Sequence, residues 1–558
     1  MKNKLVTLFL IVVLAATLRF SHLSYNPPSL NWDEISHGYN AYSILKTGRD
    51  EWGDFLPIFN FRAYGDYPLT LNLYLTAPFI ALFGLNEVSI RLPHVTLGVL
   101  TTISSYFLFW GITRKKSLSF LGAALVATEP WYLFTSRFVL QANLSIFLIT
   151  SGFASFFNRD KDGRFLPLTF VFFILSLFSY HTTRIFLPIV VLPILVIFRE
   201  EFLKAEEKVK KTLFWLIAIF YFLTAIIFLN PNTRARGNFV FLLDNTTSFK
   251  IVEQRNASKL PKELARLIYN RPTYFVSEFS KRYISYFSPQ FLFFKGGTQY
   301  QFSVPNQGLM YLINLPLFYL GLYLLLKKVL KKEVNSILIF TWLAVSPIAA
   351  SITTEYNAVV RASTMLPLPE LLVILGAAKF INVAKGKGVL TYAKAFYFIA
   401  LFVLIENYLY TYFTDYRKNY SWSWQYGYKE VVAFVKENYD NYAKIVVTKK
   451  YGEPHEFFLF YWPWDSEKYR SDSKLVRFMQ SGWYWVDGFD KFYFVNDWQV
   501  SGAEGSNQFT LESKGKVDCK NPKCLLVTSP GNVPSGWKKV ETINFLDGSP
   551  AFELYENF

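Results

Sequence analysis

Long apolar runs, not alternation, fill most of the chain up to about residue 413. A helix that crosses a bilayer needs about 20 mostly apolar residues. Runs of that order stand near 4–22, 88–111, 117–134, 138–157, 165–183, 185–199, 212–230, 308–326, 335–351, 364–381 and 390–413. The pattern predicts a polytopic α-helical membrane protein of about 11 spans. Residues 68–87 are nearly as apolar. A span there would flip every later loop, so the stretch is read as a helix lying at the outer interface. From about Tyr420 the pattern shortens. KIVVTKK (444–450), KFYFVND (491–497) and CLLVTSP (524–530) read as strands, and 428–439 reads as a helix with Val431, Val432 and Val435 on one face. The expected division is a transmembrane domain over 1–418, with long loops at 23–87 and 231–307, and a soluble α/β domain over 419–558.

Charge fixes the expected orientation. Alternate loops are basic: Lys2 and Lys4; Arg114, Lys115 and Lys116; Arg159, Lys161 and Arg164; Lys204, Lys208, Lys210 and Lys211; Lys327, Lys328, Lys331 and Lys332; Lys385 and Lys387. The positive-inside rule puts these in the cytoplasm and the remaining loops and the tail outside. That describes a multi-pass protein of the plasma (inner) membrane with its outer loops and C-terminal domain extracytoplasmic, and with the first apolar run as an uncleaved anchor rather than a signal peptide. Composition agrees: 52% of residues are hydrophobic and 18% charged, against about 25% charged in soluble domains. The net charge of +17 belongs to topology, so no nucleic-acid partner is inferred. Two cysteines, Cys519 and Cys524, are no framework; they are either one disulfide or two thiols.

Charged groups at membrane depth are costly and tend to be functional. Here they gather at the predicted outer ends of spans: Arg19, Asp33, Glu34, Arg91, Glu129, Arg137, His181, Arg184, Glu355 and Arg361. Asp33 and Glu34, in NWDEISHGYN, open an amphipathic helix; either Asp33 caps that helix or it is a carboxylate base at the mouth of a cavity. Arg137, Arg184 and Arg361 suit an anion clamp through bidentate guanidinium forks, although each alone could snorkel or pair with Glu129 or Glu355. His181 reads as an interfacial histidine at the same rim. Phosphate-cradling loops, GxSxG, HExxH and GxGxxG motifs are absent from the sequence, and no spacing marks a metal site.

LNWDEISHGYNAYSILKTGRDEWGDFLP, GDYPLTLNLYLTAPFIALFGLNEVSIRLPHVTLGVLT (65–101), EPWYLFTSRFVLQANLSIFL (129–148) and RASTMLPLPELLVILGAA (361–378) together resemble the GT-C membrane glycosyltransferases. The closer likeness is to glycosyltransferase family 39, which includes protein O-mannosyltransferases and lipid A aminoarabinose transferases. The resemblance covers roughly 1–420 and implies that Asp33 is the catalytic base, with Glu34 beside it; Arg137, Arg184, Arg361 and His181, at the same rim, are the candidates for the donor phosphate. It departs at two places, where Tyr67-Pro68 replaces a frequent Lys before the prolines and Asn143 replaces a frequent Asp. The implied activity is an inverting transfer of a hexosyl or pentosyl group from a polyprenyl-phosphate-sugar to a protein, lipid or glycan on the outer side of the membrane. No cofactor follows, and a divalent cation is compatible with the pattern. A transporter or flippase would want charges at the midplane and broken helices in paired halves. A non-catalytic scaffold would need no acids and arginines at one rim.

Overall fold

Helices form at all of the eleven predicted positions. The computed structural model describes every residue except 1, 232, 234–236, 238, 239, 385–387 and 558, and for residues 2 and 3 the backbone alone. Lys385 and Lys387 of the basic set therefore lie outside the described residues. Among the described residues six helices are long and apolar enough to cross a bilayer: Glu87–Thr113, Glu207–Leu229, Leu312–Leu330, Val334–Ser351, Ser363–Ala384 and Val389–Asn419. The helices Lys116–Thr128, Gln141–Phe157, Phe165–Ser176 and His181–Ile197 are shorter. At about 1.5 Å per residue, 12 residues reach only ~18 Å of a hydrocarbon core about 30 Å thick.

Local chemistry sets these shorter lengths. The expected single run 117–134 is two helices, because Glu129 leaves helical geometry and Pro130 opens a new helix, Pro130–Thr135. Glu129 is pinned in that break: its carboxylate accepts from Tyr311 N at 2.8 Å and Asn314 Nδ2 at 2.5 Å. The helix from Phe165 ends at Ser176, whose carbonyl accepts from Ser179 Oγ and Thr183 Oγ1, both at 2.7 Å. Residues 68–87 contain the helix Leu71–Phe83, 13 residues long, with Leu82 and Phe83 exposed. Two glycines admit one close helix pair. A Cβ on Gly321 would stand 1.9 Å from Leu372 O, and one on Gly376 2.1 Å from Leu317 O, so Leu315–Leu330 and Leu368–Ala384 touch backbone to backbone.

The chain forms two compact units. One comprises Met1–Ser21, Val95–Ser136 and Leu140–Leu409, and the other His22–His94, Arg137–Val139 and Tyr410–Phe558. The second unit holds a seven-stranded mixed sheet. Its strands are β1 (Lys444–Thr448), β2 (Val476–Gln480), β3 (Trp483–Phe489), β4 (Phe492–Val495), β7 (Cys524–Thr528), β8 (Lys538–Asn544) and β9 (Pro550–Glu556), in the order β2-β3-β4-β1-β7-β9-β8. The three runs read as strands from the sequence are its centre, with β1 parallel to both β4 and β7. A separate hairpin pairs β5 (Gln508–Thr510) with β6 (Lys516–Asp518). The predicted amphipathic helix is Tyr428–Glu437, with Val431, Val432 and Val435 buried. Cys519 and Cys524 are joined as a disulfide. The core under this sheet also takes in Ile35, Tyr39, Ile44, Tyr64 and Leu73, so residues of the first loop and of the tail bury one another.

Candidate active site

Asp33 and Glu34 begin the helix Trp32–Thr47 but face different surroundings. Asn31 is the N-cap: its side chain accepts from Glu34 N at 3.0 Å, and Glu34 Oε2 accepts from Asn31 N at 3.4 Å. This reciprocal box satisfies two otherwise orphaned donors. Trp32 N donates to Gln425 Oε1 at 3.0 Å. The cap role weighed for Asp33 therefore falls to Asn31. Glu34 is fully buried, and its carboxylate accepts from Arg91 Nε at 2.9 Å, Arg91 Nη2 at 2.9 Å and Val139 N at 3.0 Å. Arg91 is completed by the carbonyls of Leu23, Pro27 and Ser29. Asp33 is exposed, at a helix N-terminus that favours a negative charge. The Tyr64 hydroxyl donates to Trp32 O, and the Tyr64 ring stacks on Trp483 at 5.8 Å. Burial, and then the charges of Asp33, Glu456 and Glu453, hold the Tyr64 phenol well above its usual range.

The four proposed phosphate ligands do not share one environment. Arg137 lies in the second unit and is fully buried. It donates to Asn26 O at 2.9 Å, His22 O at 3.3 Å and Tyr412 Oη at 3.3 Å, and sits over the Phe413 ring. Those contacts are those of a guanidinium that fixes a turn. His181, Arg184 and Arg361 lie in the first unit. Arg184 donates to Leu177 O at 3.0 Å and Thr233 Oγ1 at 3.2 Å. Arg361 is partly exposed; it pairs with Glu355 at 2.8 Å and donates to Thr353 Oγ1 at 3.0 Å. His181 opens the helix His181–Ile197, its ring edge-on to Tyr180. At the two departures, Tyr67 Oη lies 3.5 Å from Tyr484 Oη, and Asn143 Nδ2 donates to Thr135 O at 2.9 Å.

Near Tyr64, the second unit gathers acids that no local sequence signal marks. Glu51, His455 and Glu456 are buried, and each brings one potential ligand atom within 4.8 Å of the others. Glu51 is held by an Asx turn in which Asp50 Oδ1 accepts from the backbone N–H groups of Trp52, Gly53 and Asp54. His455 and Glu456 stand in the first turn of the helix Pro454–Tyr461. That helix lies against Trp32–Thr47 at Gly38, where a Cβ would meet the Phe460 ring at 2.5 Å. Arg477 Nη2 donates to Glu51 Oε1 at 3.3 Å, and Glu453 Oε1 accepts from Trp483 Nε1 at 2.7 Å.

Residues 9–234 match the family model described as dolichyl-phosphate-mannose-protein mannosyltransferase. The GT-C resemblance is borne out over that segment. An uncharacterized protein of Aquifex aeolicus (strain VF5) is 25% identical over 160 residues, 28% of this chain and 31% of that protein. The match thus spans less than a third of that relative's length. Among solved structures, the chain is similar to the apo oligosaccharyltransferase of Archaeoglobus fulgidus, with 14% identity and a TM-score of 0.46 over 82% of this chain and 63% of that one. It is also similar to apo ArnT from Cupriavidus metallidurans, with 11% identity and a TM-score of 0.48 over 99% and 97%.

The GT-C-like segment 9–234 contains Asp33, Glu34, Arg91, Arg137, His181 and Arg184; Arg361 lies beyond it. The cluster of Glu51, His455 and Glu456 has two of its three members in the tail, so no motif confined to the matched segment could reveal it.

Proposed function

We propose that the chain is an inverting glycosyltransferase that moves a hexosyl or pentosyl group from a polyprenyl-phosphate-sugar to an acceptor outside the membrane. The Asp33 carboxylate takes the proton of an acceptor hydroxyl. That oxygen bonds to C1 of the sugar from the face opposite the phosphate, the C1–O bond breaks, and the polyprenyl phosphate leaves with the electron pair. One displacement inverts the anomeric carbon. The observation that carries this reading is the split of the acidic pair, which leaves Asp33 exposed at a helix N-terminus while Glu34 fixes that terminus through Arg91 and Val139. The match of 9–234 to a family named for transfer from a lipid-phosphate sugar supports the donor class. The disulfide Cys519–Cys524 supports an oxidising, extracytoplasmic compartment for the tail. Mass spectrometry of surface glycans and glycoproteins from cells with and without the gene tests the reading: one sugar on one acceptor class should disappear. An unchanged glycan profile would count against it.

Orientation has its own check. Single cysteines placed in 23–87, in 231–307 and after 420 should all react with a membrane-impermeant reagent applied from outside. Labelling of the tail alone would contradict the proposed topology.

On the donor side, Arg361, Arg184 and His181 are proposed to meet the phosphate, whose charge grows as the sugar departs. Arg361→Ala should weaken donor-lipid affinity and single-turnover rate by roughly tenfold, the scale of one charged hydrogen bond. Arg361→Lys should recover part of it, since a point charge does not replace a fork. Wild-type behaviour of both variants would make Arg361 only the partner of Glu355.

A further inference from the structure

We propose that Glu51, His455 and Glu456 form a site for one divalent cation of the zinc or manganese class, which ties the first loop to the C-terminal segment. Three donors of mixed nitrogen and oxygen type, brought within 4.8 Å of one another and fully buried, match the ligand set such ions take.

An acidic cluster alone would not carry this. Glu51 Oε2, Glu456 Oε2 and His455 Nδ1 are buried with no donor or acceptor on them, although the Glu456 carboxyl faces Glu51 and the Ser36 hydroxyl. Two carboxylate oxygens facing one another need a proton or a cation between them. The imidazole is arranged for ligation as well. His455 Nε2 lies 4.0 Å from Glu456 Oε1, and Nδ1 lies 3.5 Å from Glu453 Oε2 on the opposite side of the ring. With Nε2 on the cation, Nδ1 would face Glu453 Oε2, which at 3.5 Å is near it without a hydrogen bond and would have to close in to act as the outer partner of a ligating histidine.

Because Glu51 comes from the first loop and His455 and Glu456 from the tail, the ion would hold together two segments 404 positions apart in sequence, 51 to 455. The proposal does not rest on the transferase reading, since the metal count is independent of any role for Asp33.

The test uses the full-length chain, purified in detergent, stripped with a chelator and reloaded with zinc or manganese alone. Bound metal is counted by mass spectrometry after desalting, and thermal unfolding is followed with and without metal. About one equivalent per chain and a higher unfolding temperature are expected. Glu456→Gln, Glu51→Gln and His455→Gln should lose the equivalent. Glu453→Gln should weaken affinity by about 10–100-fold, the scale for an outer-shell partner of a ligating histidine. Two results would overturn the proposal: a wild-type chain that holds no metal and unfolds at one temperature with or without it, or variants that bind metal as the wild type does. Either would leave Glu51 and Glu456 as a carboxyl pair sharing a proton. The stripped and loaded wild-type comparison decides the matter even if a variant fails to fold.

Discussion

Replacing Asp33 with Asn is expected to slow glycosyl transfer by about 10²–10⁴-fold in a single turnover while donor-lipid affinity stays near the wild-type value. The substitution keeps the size and hydrogen-bonding reach of the side chain and removes its capacity to accept the acceptor proton, and that range is what a positioned general base contributes. Folding should be spared, because the helix it opens is capped by Asn31 and anchored by Glu34 and Gln425. A near-normal rate in the Asn variant would remove Asp33 from the chemistry. A large loss of donor affinity would instead make its charge part of the binding site.

The second large effect concerns stability. Glu34→Leu should destabilise the protein by about 3–5 kcal/mol, since it leaves the Arg91 guanidinium buried without its counter-charge. Arg91 and Glu34 are both nearly inaccessible, with side-chain exposures of 1% and 0%. Arg91 would keep the carbonyls of Leu23, Pro27 and Ser29, which places the effect at the lower end of that range. Glu34 also takes the N–H groups of Asn31 and Val139, and those would be orphaned too. The double variant Glu34→Leu, Arg91→Leu should recover part of the loss, because it removes the uncompensated charge. Thermal unfolding of the single and double variants in detergent measures this. A single variant that unfolds with the wild type would mean that the pair is not buried as described.

Each of the eleven apolar runs marks a place where helix forms, because a membrane segment writes its pattern locally in consecutive residues. The break at Glu129-Pro130 was legible in principle from the proline, yet hydropathy runs straight through it. In the tail, β1, β4, β7 and the helix Tyr428–Glu437 were legible from short β-branched and aromatic runs and from a valine stripe. The edge strands β2 and β8 were not; they are half-exposed and polar, so neither period stands out.

The acidic pair was visible, but not its division of labour. Which carboxylate turns inward depends on Arg91, 57 positions away, and on Val139, 105 positions away. The partners of Arg137 were no more legible: the carbonyls of His22 and Asn26 that accept from it lie 115 and 111 positions away. Glu51, His455 and Glu456 stayed hidden for the same reason, since only the folding of the first loop against the tail brings them together.

Transfer by Asp33 can be followed by reconstituting the purified chain in liposomes with a polyprenyl-phosphate-sugar radiolabelled in the sugar, and adding an acceptor fraction from the cell envelope. Label should leave the lipid and appear on an acceptor with the anomeric configuration inverted, in the wild type and not in Asp33→Asn. Label that stays on the lipid with folded wild-type protein, or transfer that proceeds equally in both proteins, would contradict it.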